Sequence, residues 1–212
     1  EGRAAVAAGA RRVCAEGHAL RCLVHGAAQI GEVAPLEALT PGGLRGALAV
    51  NVEAPLFLTQ ALSGELSRAP RGGRVLSVGS GAAHAPLASC LGYCVSKAAL
   101  LQLTRCLDEE LAPAGVRAAS AMPGVVDTEM QQELRSLDFP AAGYFRGLGD
   151  NAPRGEWSRA VPPPGDGLDS PENVADFLAW LLLDTEAAEF AGHEWDIMSP
   201  ADQSQWLAAR GA

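Results

Sequence analysis

Three short apolar runs, at 19–24, 74–78 and 116–122, constrain this chain most. Each closes in small or turn-forming residues, and long helical stretches separate them. Residues 2–16 carry Val6, Ala10 and Val13 at helical spacing, with Gly17 as a stop. Residues 36–68 repeat leucine at 44, 48, 56, 58, 62 and 66 behind the cap and first-turn proline Thr40-Pro41. Residues 91–111 form a third long helix with Ala98, Leu101 and Leu107 on its seam. Strand and helix alternating at this spacing predict an α/β fold with a parallel sheet. In such sheets ligands sit outside the carboxyl ends of the strands. The turns 25–28, 79–83 and 123–128 all fall there, so three loops are expected to converge on one crevice.

Composition narrows the partners. The 212 residues suit a single domain (1–212) with a core mostly of Ala, Leu and Val, because the chain is 48% apolar but only 5% aromatic. A net charge of −9 argues against nucleic acid or an anionic membrane as partner. Without a membrane-length apolar run or a signal peptide, a cytoplasmic protein is expected. The five cysteines have no paired spacing and read as reduced thiols, with neither a disulfide frame nor a metal site. Because Glu1 and not Met comes first, a processed chain or a fragment is expected.

The stretch Tyr93-Cys94-Val95-Ser96-Lys97 carries the chemistry. Lys97 is the only lysine among 16 basic residues, and Tyr93 is one of two tyrosines. Positions four apart share a helix face. An ammonium there would favour the phenolate and draw a pKa of about 10 towards the range of an acid/base catalyst. The bland alternative is a surface lysine near a partly buried tyrosine. Asn51 lies mid-helix, where asparagine is a poor helix former. It either faces solvent or is buried with its amide holding a water or a carbonyl. Residues 25–28 either let a ligand approach or form a plain turn. Glycine and proline crowd 136–169, making a regular core element there unexpected and a substrate lid or a disordered link the natural reading. A capped helix follows from Ser170-Pro171-Glu172, then a short strand at 194–197 and a tail, 200–212, expected to fray.

In this order, Asn51, Ser80, Tyr93, Lys97 and the run Pro123-Gly124-Val125-Val126-Asp127-Thr128 resemble the short-chain dehydrogenase/reductase family over about residues 15–198. Residues 127–132 further resemble its sepiapterin-reductase-like branch. The resemblance implies a doubly wound, mostly parallel Rossmann-type sheet with helices on both faces. It implies an NAD(P)-dependent oxidoreductase that interconverts a carbonyl and an alcohol by hydride transfer, acting on a small molecule as a carbonyl reductase or alcohol dehydrogenase. Tyr93 would be the general acid/base, with Lys97 lowering its pKa and binding the nicotinamide ribose. Ser80 would hold the carbonyl oxygen, and Asn51 would anchor a relay water. Arginine would replace Lys97 poorly, because the site needs a compact ammonium. The cofactor site would comprise Gly26, Ala27, Asn51, Tyr93, Lys97, Pro123, Gly124, Val126 and Thr128. The helices around 40–68 and 91–111 would pair copies into a homodimer or homotetramer.

Two departures matter. The family's Asn-Asn-Ala-Gly is replaced by His25-Gly26-Ala27-Ala28, where His25 is a substitute donor or, preferably, a turn residue. The glycine-rich pyrophosphate loop and the first strands are missing: no GxGxxG occurs, and the one GxxxGxG spacing, at Gly143, Gly147 and Gly149, follows the three strand runs and does not belong to a first strand–turn–helix unit. The cofactor implied is NADP or NAD, NADP slightly preferred, since the residues that read the ribose 2′ position are not in the chain. The chain is then either part of a longer enzyme or a catalytically silent, truncated form acting as a scaffold or regulatory partner. A serine hydrolase built on Ser80 with His84 or His193 is the third alternative, and it lacks the GxSxG elbow.

Overall fold

The computed structural model describes residues 2–155, 166–191 and 193–209. Four parallel strands lie in the order β1 (Cys22–His25), β2 (Gly73–Val78), β3 (Val116–Met122) and β4 (Glu194–Asp196). Side chains alternate across the pleat and divide the core into two layers. Val75, Val116 and Ala118 meet Leu66 of α3 (Ala54–Leu66) and Leu107 of α4 (Leu91–Leu111) on one face. Leu76, Ala119, Ala121 and Trp195 meet Phe177, Trp180 and Leu181 of α7 (Pro171–Leu183) on the other. The expected doubly wound arrangement, with helices on both faces, is therefore present. Helix α1 (Gly2–Ala15) lies against α3, and Gly17 closes it at φ +96°.

The helical stretch after Thr40 is not uniform. Thr40 caps α2 (Pro41–Leu48), its Oγ1 accepting from the Gly43 N–H at 3.0 Å. A π-helical turn, Ala49–Glu53, joins α2 to α3 and carries Asn51. Such turns widen the backbone locally and recur at functional sites. Phe57 on α3 and Leu91 and Val95 on α4 are exposed, on the two helices expected to pair between copies.

Two expectations need correction. Residues 136–169 are not irregular throughout: after α5 (Glu129–Ser136), Ala142–Asp150 forms α6 despite Gly143, Gly147 and Gly149. Tertiary packing outweighs the glycine cost of roughly 1 kcal/mol each, because Ala142 and Phe145 join a cluster with Ile30, Cys90, Leu134 and Phe139. Residues 156–165 of the expected lid lie outside the described residues. The tail does not fray up to residue 209 either. Pro200–Ala209 forms α9 beyond the four-residue α8 (Ala187–Phe190), and Trp206 is buried edge-on against Phe177 at 5.2 Å. The Asp202 carboxylate accepts the Asp196 N–H at 2.8 Å and ties that helix to β4.

Candidate active site

Ser80, Tyr93 and Lys97 meet at the carboxyl end of β2. Gly79 leaves the strand where a Cβ would sit 2.8 Å from Ser120 Oγ, so only glycine passes without displacement. Ser80 then opens a 3-10 turn, Gly81–Ala83, its Oγ accepting from the Ala82 N–H at 3.2 Å. Helix α4 begins ten residues on and presents Tyr93 and Lys97 in its first turns. The buried Lys97 ammonium donates to the Val78 carbonyl at 2.9 Å and lies 5.7 Å from the centre of the Tyr93 ring.

Burial pulls the Lys97 pKa down to about 8. It pushes the Tyr93 phenol above its ordinary value; the nearby Ser80 hydroxyl pulls it back, while Cys94 and Cys90 add to the rise. The expectation that Lys97 lowers the phenol is not met in this state. The ammonium gives one of its three protons to the Val78 carbonyl, and Ser80 is the group that pulls the phenol down.

Asn51 is buried, and its amide organises the neighbourhood. Its Oδ1 accepts the Gln29 N–H and its Nδ2 donates to the Gln29 carbonyl, both at 2.9 Å. The second Nδ2 proton goes to Ser96 Oγ at 2.8 Å, and Ser96 donates onward to the Tyr93 carbonyl at 2.8 Å. Both amide protons are thus committed, leaving only oxygen atoms of Asn51 to hold a water. Ser96 received no role from the sequence. The signal was its place inside the Tyr-x-x-Ser-Lys run, on the face turned to Asn51.

His25 is not the turn residue expected, and its Nε2 is engaged inside the fold. It ends β1 buried, its Nε2 2.8 Å from Thr59 Oγ1 on α3. The strand runs one residue further than expected, and its pleat turns the ring inward. Burial depresses the His25 pKa to about 4. The unfolded chain, titrating near 6.5, therefore binds the extra proton first. The stabilising contribution is complete above about pH 6.5 and is lost as pH falls through 4. Acidification across that window is expected to remove roughly 2–3 kcal/mol in the parent that His25→Gln does not lose, read by urea unfolding at pH 7 and 4.5. Equal losses in both chains would refute the assignment.

Gly26 and Ala27 are exposed just beyond His25. A Cβ on Gly26 would meet only Val78 Cγ2, at 4.0 Å. Beyond β3, Gly124 turns at φ +71°, and Val126 bridges the buried Asp169 in parallel register. The bridge uses the Val125 carbonyl and the Asp127 N–H, both at 2.9 Å, so the Val126 N–H takes no partner in it. Thr128 starts α5 with an exposed hydroxyl, 3.4 Å from the Val126 carbonyl.

The three loops therefore end at one side of the sheet. An apolar wall of Ile30, Leu87, Cys90, Cys94, Phe139 and Phe145 packs around Tyr93. The hydrolase alternative lacks a nucleophile–base pair among the described residues: the Ser80 hydroxyl meets the Ala82 N–H and the Tyr93 phenol, whereas His84 is bound to Glu194 at 2.6 Å and His193 faces Asp202 at 3.6 Å. Among the described residues no group of His, Cys, Asp and Glu could hold a metal, and no helix is long and apolar enough to cross a membrane.

Residues 1–138 match the family model described as short chain dehydrogenase. The 2,3-dihydro-2,3-dihydroxybenzoate dehydrogenase of Escherichia coli (strain K12) is 33% identical over 181 residues, 85% of this chain and 69% of that protein. The vibriobactin-specific enzyme of the same name from Vibrio cholerae is 31% identical over 166 residues, 78% of this chain and 58% of its own. A short-chain dehydrogenase from Burkholderia cenocepacia J2315, solved in complex with NADP, superposes with a TM-score of 0.68 at 27% identity, covering 92% of this chain and 70% of that one. A short-chain dehydrogenase/reductase from Saccharomyces cerevisiae has the same fold at a TM-score of 0.76 and 23% identity, covering 93% and 74%. The sepiapterin-reductase-like resemblance of 127–132 has no counterpart among these four.

Proposed function

The chain belongs to the short-chain dehydrogenase family of NAD(P)-dependent oxidoreductases, and on that footing we propose that it interconverts a ring-borne secondary alcohol and the corresponding carbonyl, with Tyr93 moving the proton. The observation that carries this is the pairing of Ser80 with the Tyr93 phenol beside a buried ammonium at the strand ends. Two relatives named for a dihydroxy-dihydrobenzoate support a small cyclic alcohol, and the apolar wall around Tyr93 suits the ring.

The residues present suit the nicotinamide end of the cofactor. Gly26 and Ala27 leave open space beside Val78, the Val126 N–H faces away from its bridge, and Lys97 has spent one of three donors. Lys97 and Tyr93 would hold the nicotinamide ribose, the Val126 backbone its carboxamide, and Thr128 the amide or a phosphate. The chemistry the cofactor supplies when bound is a hydride, given to or taken from carbon. In reduction, Tyr93 gives its proton to the carbonyl oxygen as the C–H bond forms, while Ser80 holds that oxygen. In oxidation, the alcohol proton passes to the Tyr93 phenolate as the C–H electron pair leaves. A water held by an Asn51 oxygen would return the proton through Lys97. Helices α5 and α6 would cover the substrate and exclude water.

A fluorescence titration of the purified chain with NADPH and NADH tests the reading. Saturable binding is expected, followed by turnover of cyclic secondary alcohols in the presence of NADP or NAD. Absence of binding would overturn it and favour the silent scaffold.

A further inference from the structure

One carboxylate holds the far end of the Ser80 loop and lies beside its near end. Glu194 opens β4 with its side chain 9% exposed. Its Oε1 accepts from Ser120 Oγ on β3 at 3.3 Å and lies 3.1 Å from where a Cβ on Gly79 would stand. Its Oε2 is 2.6 Å from Nε2 of His84, the residue that closes the 3-10 turn opened by Ser80. A ring nitrogen that close to a carboxylate oxygen carries its proton and donates it. At the near end, the Gly79 N–H donates to the Ala121 carbonyl at 2.8 Å. The bonds inside the turn, from the Ala83 N–H to Ser80 and from the His84 N–H to Gly81, set its shape. Its placement over β3 and β4 depends on Gly79, on packing against α4, and on the His84–Glu194 contact.

We propose that His84 and Glu194 are positioning residues for the reaction, clamping the loop so that the Ser80 hydroxyl stays at the Tyr93 phenol. The proposal rests on the roles given above to Ser80 and Tyr93. A half-exposed histidine bound to a carboxylate would otherwise be a surface pair of little consequence. Here the carboxylate is nearly buried between two strands, and the pair spans a loop that has Ser80 inside it.

The test is an ultraviolet titration of the phenol in a Tyr144→Phe background, where Tyr93 is the remaining tyrosine and the altered side chain is exposed. Because Ser80 favours the phenolate, Ser80→Ala should raise the Tyr93 midpoint. His84→Ala should raise it in the same direction, the double variant should add nothing, and His84→Gln, which still offers an N–H, should restore the parent value. In turnover, His84→Ala should lower kcat about tenfold with KM unchanged, the loss of roughly one hydrogen bond at the transition state. A Tyr93 midpoint unmoved by His84→Ala, while Ser80→Ala moves it, overturns the clamp alone. A midpoint unmoved by Ser80→Ala removes the Ser80–Tyr93 pairing itself, and the clamp with it.

Discussion

Tyr93→Phe is expected to lower kcat/KM by about 10²- to 10⁴-fold, the usual contribution of a positioned general acid or base, while leaving the fold intact. Phenylalanine keeps the ring in its cluster with Cys90, Leu134 and Phe139 and removes only the oxygen that carries the proton. The phenol is half-buried and held above its ordinary pKa, so it is protonated at neutral pH and ready to act as an acid on a carbonyl. Oxidation requires the phenolate and should therefore gain rate as pH rises, whereas reduction should not. Steady-state rates in both directions over pH 6–10, with circular dichroism as the control for folding, make the measurement. Turnover by Tyr93→Phe within tenfold of the parent would remove Tyr93 from the chemistry.

Arg74→Ala is expected to cost about 3–5 kcal/mol of stability, although residue 74 lies far from the proposed chemistry. Its guanidinium is buried at the carboxyl end of α7, where unpaired carbonyls give the helix end a partial negative charge. Nη1 donates to the Leu181 carbonyl at 2.6 Å and to Thr185 Oγ1 at 2.9 Å; Nη2 donates to the Thr185 carbonyl, and the Phe190 ring lies 4.9 Å from the cation. Cys22 and Arg21 take the next carbonyls, of Leu182 and Leu183. Alanine would leave a cavity and take the guanidinium from the Thr185 carbonyl and hydroxyl, with only the Thr185 hydroxyl left to cover the Leu181 carbonyl. Urea unfolding at pH 7 reads the difference, and Arg74→Met separates volume from hydrogen bonding by filling much of the space without donating. A loss below about 1 kcal/mol in Arg74→Ala would mean that water replaces the guanidinium without penalty.

Elements that depend on near neighbours in the chain were legible before the structure. The Thr40 and Ser170 caps, the seam of α4 and the shared face of Tyr93 and Lys97 follow from helix geometry within a few residues. The convergence of residues 25–28, 79–83 and 123–128 followed from strand order alone, since parallel strands place all their carboxyl ends on one side. Helix α6 was not legible, because its local composition opposes it and only burial of Ala142 and Phe145 reverses the balance.

The sequence by itself determined which side chains could do chemistry and on which element each would sit. Only the tertiary structure decided what each one touches. His25 turned to Thr59, Asn51 reached Ser96 across 45 positions, and His84 met Glu194 across 110. Lys97 was directed to the Val78 carbonyl instead of the phenol four residues away. The physical reason is that helix geometry limits the choice of neighbours within a turn, whereas a buried polar group takes whichever partner the packed sheet brings within reach.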